Sequence, residues 1–491
     1  MHSQSTLKDQ PVEVVLIDHS YLHLINWGEQ FARSIPGIKV NLITDKLPSR
    51  IDGNFEIINV HDVAQDLSLD ELQSKFDFSL YRALLAERAY FDYTSFTARE
   101  CYSRLSLDQI EQRIRHHVNA LDEVIRARGD IIIGHMADNA IASLAAQIAK
   151  QYGKPYVAWT TSYWSVDGIF FRDRSDQTSA QVDRLYHWYY ANQSSIDRAA
   201  IQTARSAKRT SHVYSDTTIY PLRDRILKLI LSRRWHDPFS PINWLTRRFH
   251  RLISIVMTAC FARVLPGVPA GKRYVLYPMH VAPEASLLGS TPELADQFSL
   301  IKNISMNLPW GVRLCVKQHP AQHKWSGPSY DFYRRLAALK NVDVISGTAP
   351  TIEILRDPNC IAVAVINGTV GLEAVVYHKP VFVFGRAIFG VADCFIKPKD
   401  FDEFREHMTA IARGQFEFDE GAMWSILAAL DAAVWHGEKE FNLATSGREM
   451  MLQTFSAFER YIRSGEWRRT ASSQLSPMSA SAPPEPMPQI K

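Results

Sequence analysis

Paired cysteines, long apolar runs and metal-ligand motifs are all scarce in these 491 residues. The five cysteines, Cys101, Cys260, Cys315, Cys360 and Cys394, are odd in number, scattered and never spaced as CxxC. That pattern argues against a disulfide framework or structural zinc and fits a reducing, cytoplasmic setting. No HExxH is present and no motif resembles a metal site. The longest apolar run, Leu252 to Ala262, has 11 residues, about half of the ~20 that a bilayer-spanning helix needs. The opening MHSQSTLKDQPVEVVLID lacks the charged-then-apolar pattern of a signal peptide. One sign of charge does not dominate either: the formal net charge is +3, too small to imply nucleic acid by itself.

What is present is ordinary globular material, 46% hydrophobic and 22% charged, in a chain long enough for two or three domains at about 100–200 residues each. Val12–Ile17 reads as a buried strand, followed by a helix around Ile25–Ile35 and a second strand at Ile38–Thr44. The same grammar returns as strand Ile131–Ile133, helix Ala140–Gln151, a Gly153 stop and strand Tyr156–Trp159, with a charged helical region between, roughly Leu67 to Arg128. Pro266–Lys272 marks the main boundary. Beyond it, strands YVLY, GVRLCVK, VDVIS, IAVAVI and VFVFG alternate with helices, which argues a parallel sheet covered on both faces. The expected division is 1–222, an N-terminal Rossmann-like domain; 223–270, a basic amphipathic linker; 271–400, a C-terminal Rossmann-like domain; 401–468, helices; and 469–491, a disordered Ser/Pro-rich tail.

Three polar clusters follow strands of the C-terminal half, where open α/β sheets bind ligands. Asn367, Gly368 and Thr369 join a strand to a helix: small residues let a phosphate approach the backbone, Thr369 can cap the helix or bind an oxygen, and Glu373 near its first turn can accept hydrogen bonds from ribose or sugar hydroxyls. Lys317, Gln318, His319 and Pro320 end another strand, with Lys317 and His319 suited to negative charge and Pro320 fixing the loop. His280, Glu284 and Ser286 lie in a proline-bounded loop after the first strand. Each cluster taken alone is also explained by turn chemistry; their coincidence on one sheet edge favours a shared ligand.

In order, YVLYPMHVAPEASLL, DQFSLIKNISMNLPWGVRLCVKQHP and INGTVGLEAVVYHKPVFVFG resemble the bacterial capsular polysaccharide biosynthesis family, which includes capsule Kdo transferases. The resemblance covers roughly Arg273 to Phe395 and implies a GT-B glycosyltransferase fold: two Rossmann-like domains facing a cleft, with the nucleotide-sugar donor held mainly by the C-terminal one. It implies that His319 and Pro320 engage the donor phosphate, and that Asn367–Thr369 and Glu373 match the family's polar loop and helix acid. The donor, a nucleotide-sugar with CMP-Kdo among the candidates, is then a substrate, and no cofactor is expected. Lys317, His319, His280 and Arg386 are the candidates for stabilising the leaving phosphate.

A base for the acceptor hydroxyl is expected from strand-end loops of the N-terminal half, either Asp18 with His19 or His135 with Asp138, although loop histidines often serve only a backbone partner. Trp159 and Trp164 read more naturally as buried strand aromatics than as sugar platforms. From Arg223 to Arg263, nine Lys/Arg face two Asp among several aromatics, which suits either a helix lying on the inner face of the cytoplasmic membrane, beside a glycan or glycolipid acceptor, or core-packed helices with solvated basic faces. No nucleic-acid module is recognisable. The leading expectation is a cytoplasmic, peripherally membrane-associated, metal-independent glycosyltransferase building capsular or surface polysaccharide. A sugar-nucleotide epimerase or hydrolase on the same fold, or a non-catalytic nucleotide- or glycan-binding scaffold in polysaccharide export, are the competing readings.

Overall fold

The computed structural model describes residues 12–17, 23–44, 47–76, 107–135, 140–161, 168–172, 178–203, 267–280, 287, 290–320, 330–436 and 457–468. The expected tail and the basic segment 223–263 lie outside these residues. The protein is α/β and is built on two mostly parallel sheets.

The first sheet has eight strands: β1 (Val12–Ile17), β2 (Ile38–Thr44), β3 (Arg50–Asp52), β4 (Phe55–Asn59), β5 (Ile131–His135), β6 (Tyr156–Thr161), β7 (Gly168–Arg172) and β14 (Trp435–His436). Their order is β14-β7-β6-β5-β1-β2-β4-β3. β1 pairs in parallel with both β2 and β5, and β3, β7 and β14 close the edges in antiparallel register. Because side chains alternate across a strand, the β-branched run of β1 serves two cores: Val15 and Ile17 face one, Val14 and Leu16 the other. Helix α1 (His23–Ser34) covers the second face through Phe31. Helix α2 (Leu69–Phe76), α3 (Leu107–Arg128) and α4 (Ala140–Gln151) cover the first. On α3 the buried Ile114, Val118, Leu121 and Ile125 recur at helical spacing, while Gln112, Glu123 and Arg126 face water.

The second sheet contains β8 (Tyr274–Pro278), β9 (Arg313–Lys317), β10 (Val342–Ile345), β11 (Cys360–Val365), β12 (Val381–Val383) and β13 (Phe395–Ile396), ordered β10-β9-β8-β11-β12-β13 and parallel throughout. Reckoned from its own first strand this is the 3-2-1-4-5-6 order of a doubly wound fold, and the order reverses between β8 and β11. Helix α5 (Ala180–Ala191) and α11 (Glu420–Ala432) line one face. Helix α6 (Gln297–Met306), α7 (Tyr330–Ala337) and α10 (Phe401–Ala412) line the other. Helix α8 (Thr351–Arg356) and α9 (Val370–Val376) complete the crossovers.

The sequence division at 222 and 401 misses how the chain crosses between sheets. Helix α5 follows the first sheet in sequence, yet Val182 and Tyr186 sit in the core of the second. The Tyr186 hydroxyl donates to Asp393 at 3.2 Å and accepts from the Asp393 amide at 3.1 Å. Conversely β14 joins the first sheet, and Phe458, Tyr461 and Trp467 of the last described segment pack into its core. There Tyr461 stacks on Phe171 with ring centroids 3.9 Å apart. Neighbouring strands were anticipated from periodicity; these long returns were not, because no local pattern encodes them.

Candidate functional site

The strand order reverses between β8 and β11, and the carboxyl ends of strands at such a switch point are where open α/β sheets bind ligands. Four strand ends meet there. The Met279 amide donates to the Lys317 carbonyl at 2.9 Å, which ties the end of β8 to that of β9. The Phe384 and Gly385 amides donate to Val365 and Ile366 at 2.9 Å each and tie β12 to β11.

Lys317 is the last residue of β9 and is 3% exposed. Its ammonium donates to the Gly347 carbonyl at 2.9 Å. Burial pushes its pKa down to about 8, against an opposing pull from the Glu373 carboxylate in the first turn of α9. A buried lysine with one carbonyl partner and one nearby acid retains donor capacity for an anion. His280, 6% exposed, follows β8; its Nε2 lies 3.5 Å from where a Cβ on Gly368 would stand. The glycine thus leaves the imidazole beside an uncovered stretch of backbone. Asn367 donates from Nδ2 to Ser290 Oγ at 2.7 Å. His319 is half-buried and Pro320 is exposed in the turn after β9. Gly347 is required at the end of β10, since a Cβ there would come within 2.8 Å of the His319 carbonyl oxygen.

The structure therefore brings His280, Lys317, His319, Asn367, Gly368 and Glu373 to one sheet edge. Of the two uses open to Thr369, capping is not made: it stands at the N-cap position of α9 but has helical backbone angles and makes no side-chain cap bond. Arg386, exposed after β12, reaches back to Ser290, donating from Nη1 to its carbonyl at 2.9 Å. Glu284 and Ser286 lie outside the described residues, as do Asp18, His19 and Asp138. His135 proves to be the last residue of β5, paired with Trp159, and not part of the following loop. Trp159 is half-buried and meets Phe458 edge-on at 6.0 Å, as a strand aromatic; Trp164 lies outside the described residues.

Sequence reasoning missed Ser290, Thr291 and Gln297, which are almost wholly buried beside the site. Ser290 and Thr291 offered only polarity in a loop, and Gln297, though within the segment DQFSLIKNISM, was not singled out. One Asp-x-Asp spacing exists, Asp400-Phe401-Asp402, and the fold uses it for capping: Asp400 accepts from the Asp402 and Glu403 amides at 2.9 Å each. Cys315, Cys360 and Cys394 are free and buried, and burial pushes each thiol up to about 12, so they are packing residues and not nucleophiles. Among the described residues no group of three His, Cys, Asp or Glu is gathered as metal ligands, and no helix is long and apolar enough to cross a membrane. A cavity of about 650 Å³ beside β3 and β4 is lined by Arg50, Glu56 and Arg128, but these already pair, Arg128 with Glu56 at 2.7 Å and Arg50 with Glu29 at 2.7 Å. None of the candidate residues lines it.

The fold and this edge define a doubly wound α/β protein with a polar, partly cationic cluster at its switch point. Residues 244–407 match the model of the family described as capsule polysaccharide biosynthesis protein. No curated protein matches the chain. Among solved structures, it is similar to a β-Kdo 2,7 transferase, KpsC of Thermosulfurimonas dismutans, at 11% identity over 91% of this chain and 98% of that one, with a TM-score of 0.36. The β-Kdo 2,4 transferase of the same KpsC is 12% identical over 62% and 79%, with a TM-score of 0.30. Neisseria meningitidis UDP-GlcNAc 2-epimerase bound to UDP-GlcNAc is 12% identical over 86% and 98%, with a TM-score of 0.23. The family match covers about a third of the chain.

Proposed function

We propose that the chain is a glycosyltransferase that moves a sugar from a nucleotide-sugar, of the CMP-Kdo kind, to a growing capsular or surface polysaccharide or its lipid-linked acceptor. The observation that carries this is the meeting of buried Lys317, His280, the Asn367–Gly368 backbone and Glu373 at one switch point, inside the region that matches the capsule family.

In this reading the donor phosphate lies against Gly368, within reach of Lys317, His319 and His280, and Glu373 accepts from a sugar or ribose hydroxyl. Transfer forms a bond from the acceptor oxygen to the anomeric carbon and breaks the anomeric carbon–phosphate oxygen bond, whose electron pair leaves on the nucleotide. Lys317 and the imidazoles offset that developing charge without a metal ion. The acceptor proton passes to a carboxylate or imidazole of the N-terminal half, drawn from Asp18, His19, His135 or Asp138. The basic segment 223–263 holds the enzyme on the inner face of the cytoplasmic membrane, where a glycolipid acceptor is presented.

Thermal-shift measurements with CMP, UDP and GDP and their sugars test the donor site. A ligand at a hundredfold excess over its Kd stabilises the native state by about 2.7 kcal/mol. One nucleotide class is expected to raise the Tm of the wild type and to fail with Lys317→Met and Glu373→Ala. No response to any nucleotide sinks the reading. Product formation that requires a glycan acceptor then separates transfer from epimerisation or hydrolysis.

A further inference from the structure

Between the β8 loop and helix α6 runs a short segment, Ser290 to Gln297, whose polar side chains are unusually deep. Ser290 is fully buried, and Thr291 and Gln297 are each 3% exposed. Burying such groups is costly unless they are bonded, so the destinations of their bonds are informative. Gln297 clamps the His280 peptide from both sides: its Oε1 accepts from the His280 amide at 2.8 Å and its Nε2 donates to the His280 carbonyl at 3.1 Å. Ser290 Oγ accepts from Asn367 Nδ2 at 2.7 Å. Thr291 Oγ1 accepts from the Arg386 amide at 2.9 Å, and the Ser290 carbonyl accepts from the Arg386 guanidinium at 2.9 Å. The approach at β12 is close enough that a Cβ on Gly385 would stand 2.8 Å from Thr291 Oγ1.

One eight-residue stretch is thus bonded to the ends of β8, β11 and β12. Apolar side chains would fill the same space without any need for partners. Three satisfied polar groups instead fix distance and direction, because each bond weakens steeply when its geometry changes. We infer that Ser290–Gln297 is a positioning strap, which sets where His280, Asn367 and Arg386 stand relative to one another and so pre-organises the cluster for its ligand. Its effect on ligand binding rests on the donor-site reading; its effect on the loops does not. Gln297, Ser290 and Thr291 act through the residues they hold.

The test uses the full chain and two variants that remove polar atoms with little change of volume, Thr291→Val and Gln297→Met, with Thr291→Ser as the conservative control. Hydrogen–deuterium exchange without ligand is read at 279–280, 366–369 and 384–386 and compared with strands β5 and β6. The Kd of whichever of CMP, UDP or GDP stabilises the wild type is measured in parallel. Exchange is expected to rise at least tenfold at 384–386 in Thr291→Val and at 279–280 in Gln297→Met, with β5 and β6 unchanged. Kd is expected to rise at least fivefold in both, and Thr291→Ser to return exchange and Kd to within twofold of wild type. Loop exchange within twofold of wild type, a uniform rise across both sheets, or faster loop exchange with an unchanged Kd overturns the strap. Should either variant fail to fold, Ser290→Ala, which deletes one hydroxyl, is read at 366–369 against the same limits. If no nucleotide binds the wild type, the donor reading fails and exchange alone decides the strap.

Discussion

Lys317 carries a charge where the chain can least solvate it. Its folded pKa of about 8 lies below the ordinary 10.5, so between those values the unfolded chain binds more protons than the folded one. The cost of burying the ammonium is therefore fully present below about pH 8. Stability should rise as pH climbs from about 8 towards 10.5, by something on the order of 3 kcal/mol. Urea titrations across pH 7 to 10 should show this rise in the wild type and a flatter profile in Lys317→Met. Nucleotide affinity should move the other way, weakening once the amine loses its proton, at or above pH 8, since a bound phosphate favours the charged form. An affinity that is level from pH 7 to 10 in the wild type would remove Lys317 from the anion site. The residue was legible as a candidate because it ends an apolar strand beside His319, where the two can meet negative charge; its depth and its relation to Glu373 were not, since they depend on packing between β9, β10 and α9.

Among the elements, β9 and β10 approach closely at their ends, where the Gln318 amide donates to the Ile345 carbonyl at 3.0 Å. A methyl on Gly347 would sit 2.8 Å from the His319 carbonyl and 3.0 Å from that of Gln318, both backbone atoms that cannot rotate away. Gly347→Ala should therefore displace the His-Pro loop and disturb the Lys317 bond to Gly347. Overpacking of this kind costs about 1–3 kcal/mol. We expect a Tm lowered by a few degrees together with a nucleotide Kd raised about tenfold; a lowered Tm with wild-type Kd would show that the loop is irrelevant to binding. Most strands and helices could be read in advance, because runs such as VEVVLI and IAVAVI are apolar on both faces and their helices carry a 3.6-residue stripe. The short strands β3, β13 and β14 could not, being held by pairing partners and not by their own composition.

For the whole molecule, the last described segment is part of the first sheet's core. Phe458 meets Phe31 at 6.0 Å, Trp159 at 6.0 Å and Phe171 at 4.8 Å. Phe458→Ala should cost about 3–5 kcal/mol, as aromatic-to-alanine changes in cores do. Urea denaturation with limited proteolysis should find the N-terminal sheet cleaved first and the second sheet protected longer; equal loss in both would mean that they unfold as one unit.

Sequence alone determined the α/β class, the two alternating halves and which strand ends carry polar clusters, because hydrophobic period and turn residues act over neighbours a few positions apart. Tertiary structure alone decided that α5 serves the second sheet and Phe458 the first, that Thr369 does not cap its helix, and that Ser290, Thr291 and Gln297 bond to the ends of β8, β11 and β12. The reason is physical: a buried polar side chain is defined by partners that reach it from distant parts of the chain, and nothing in its local sequence distinguishes it from a residue facing water.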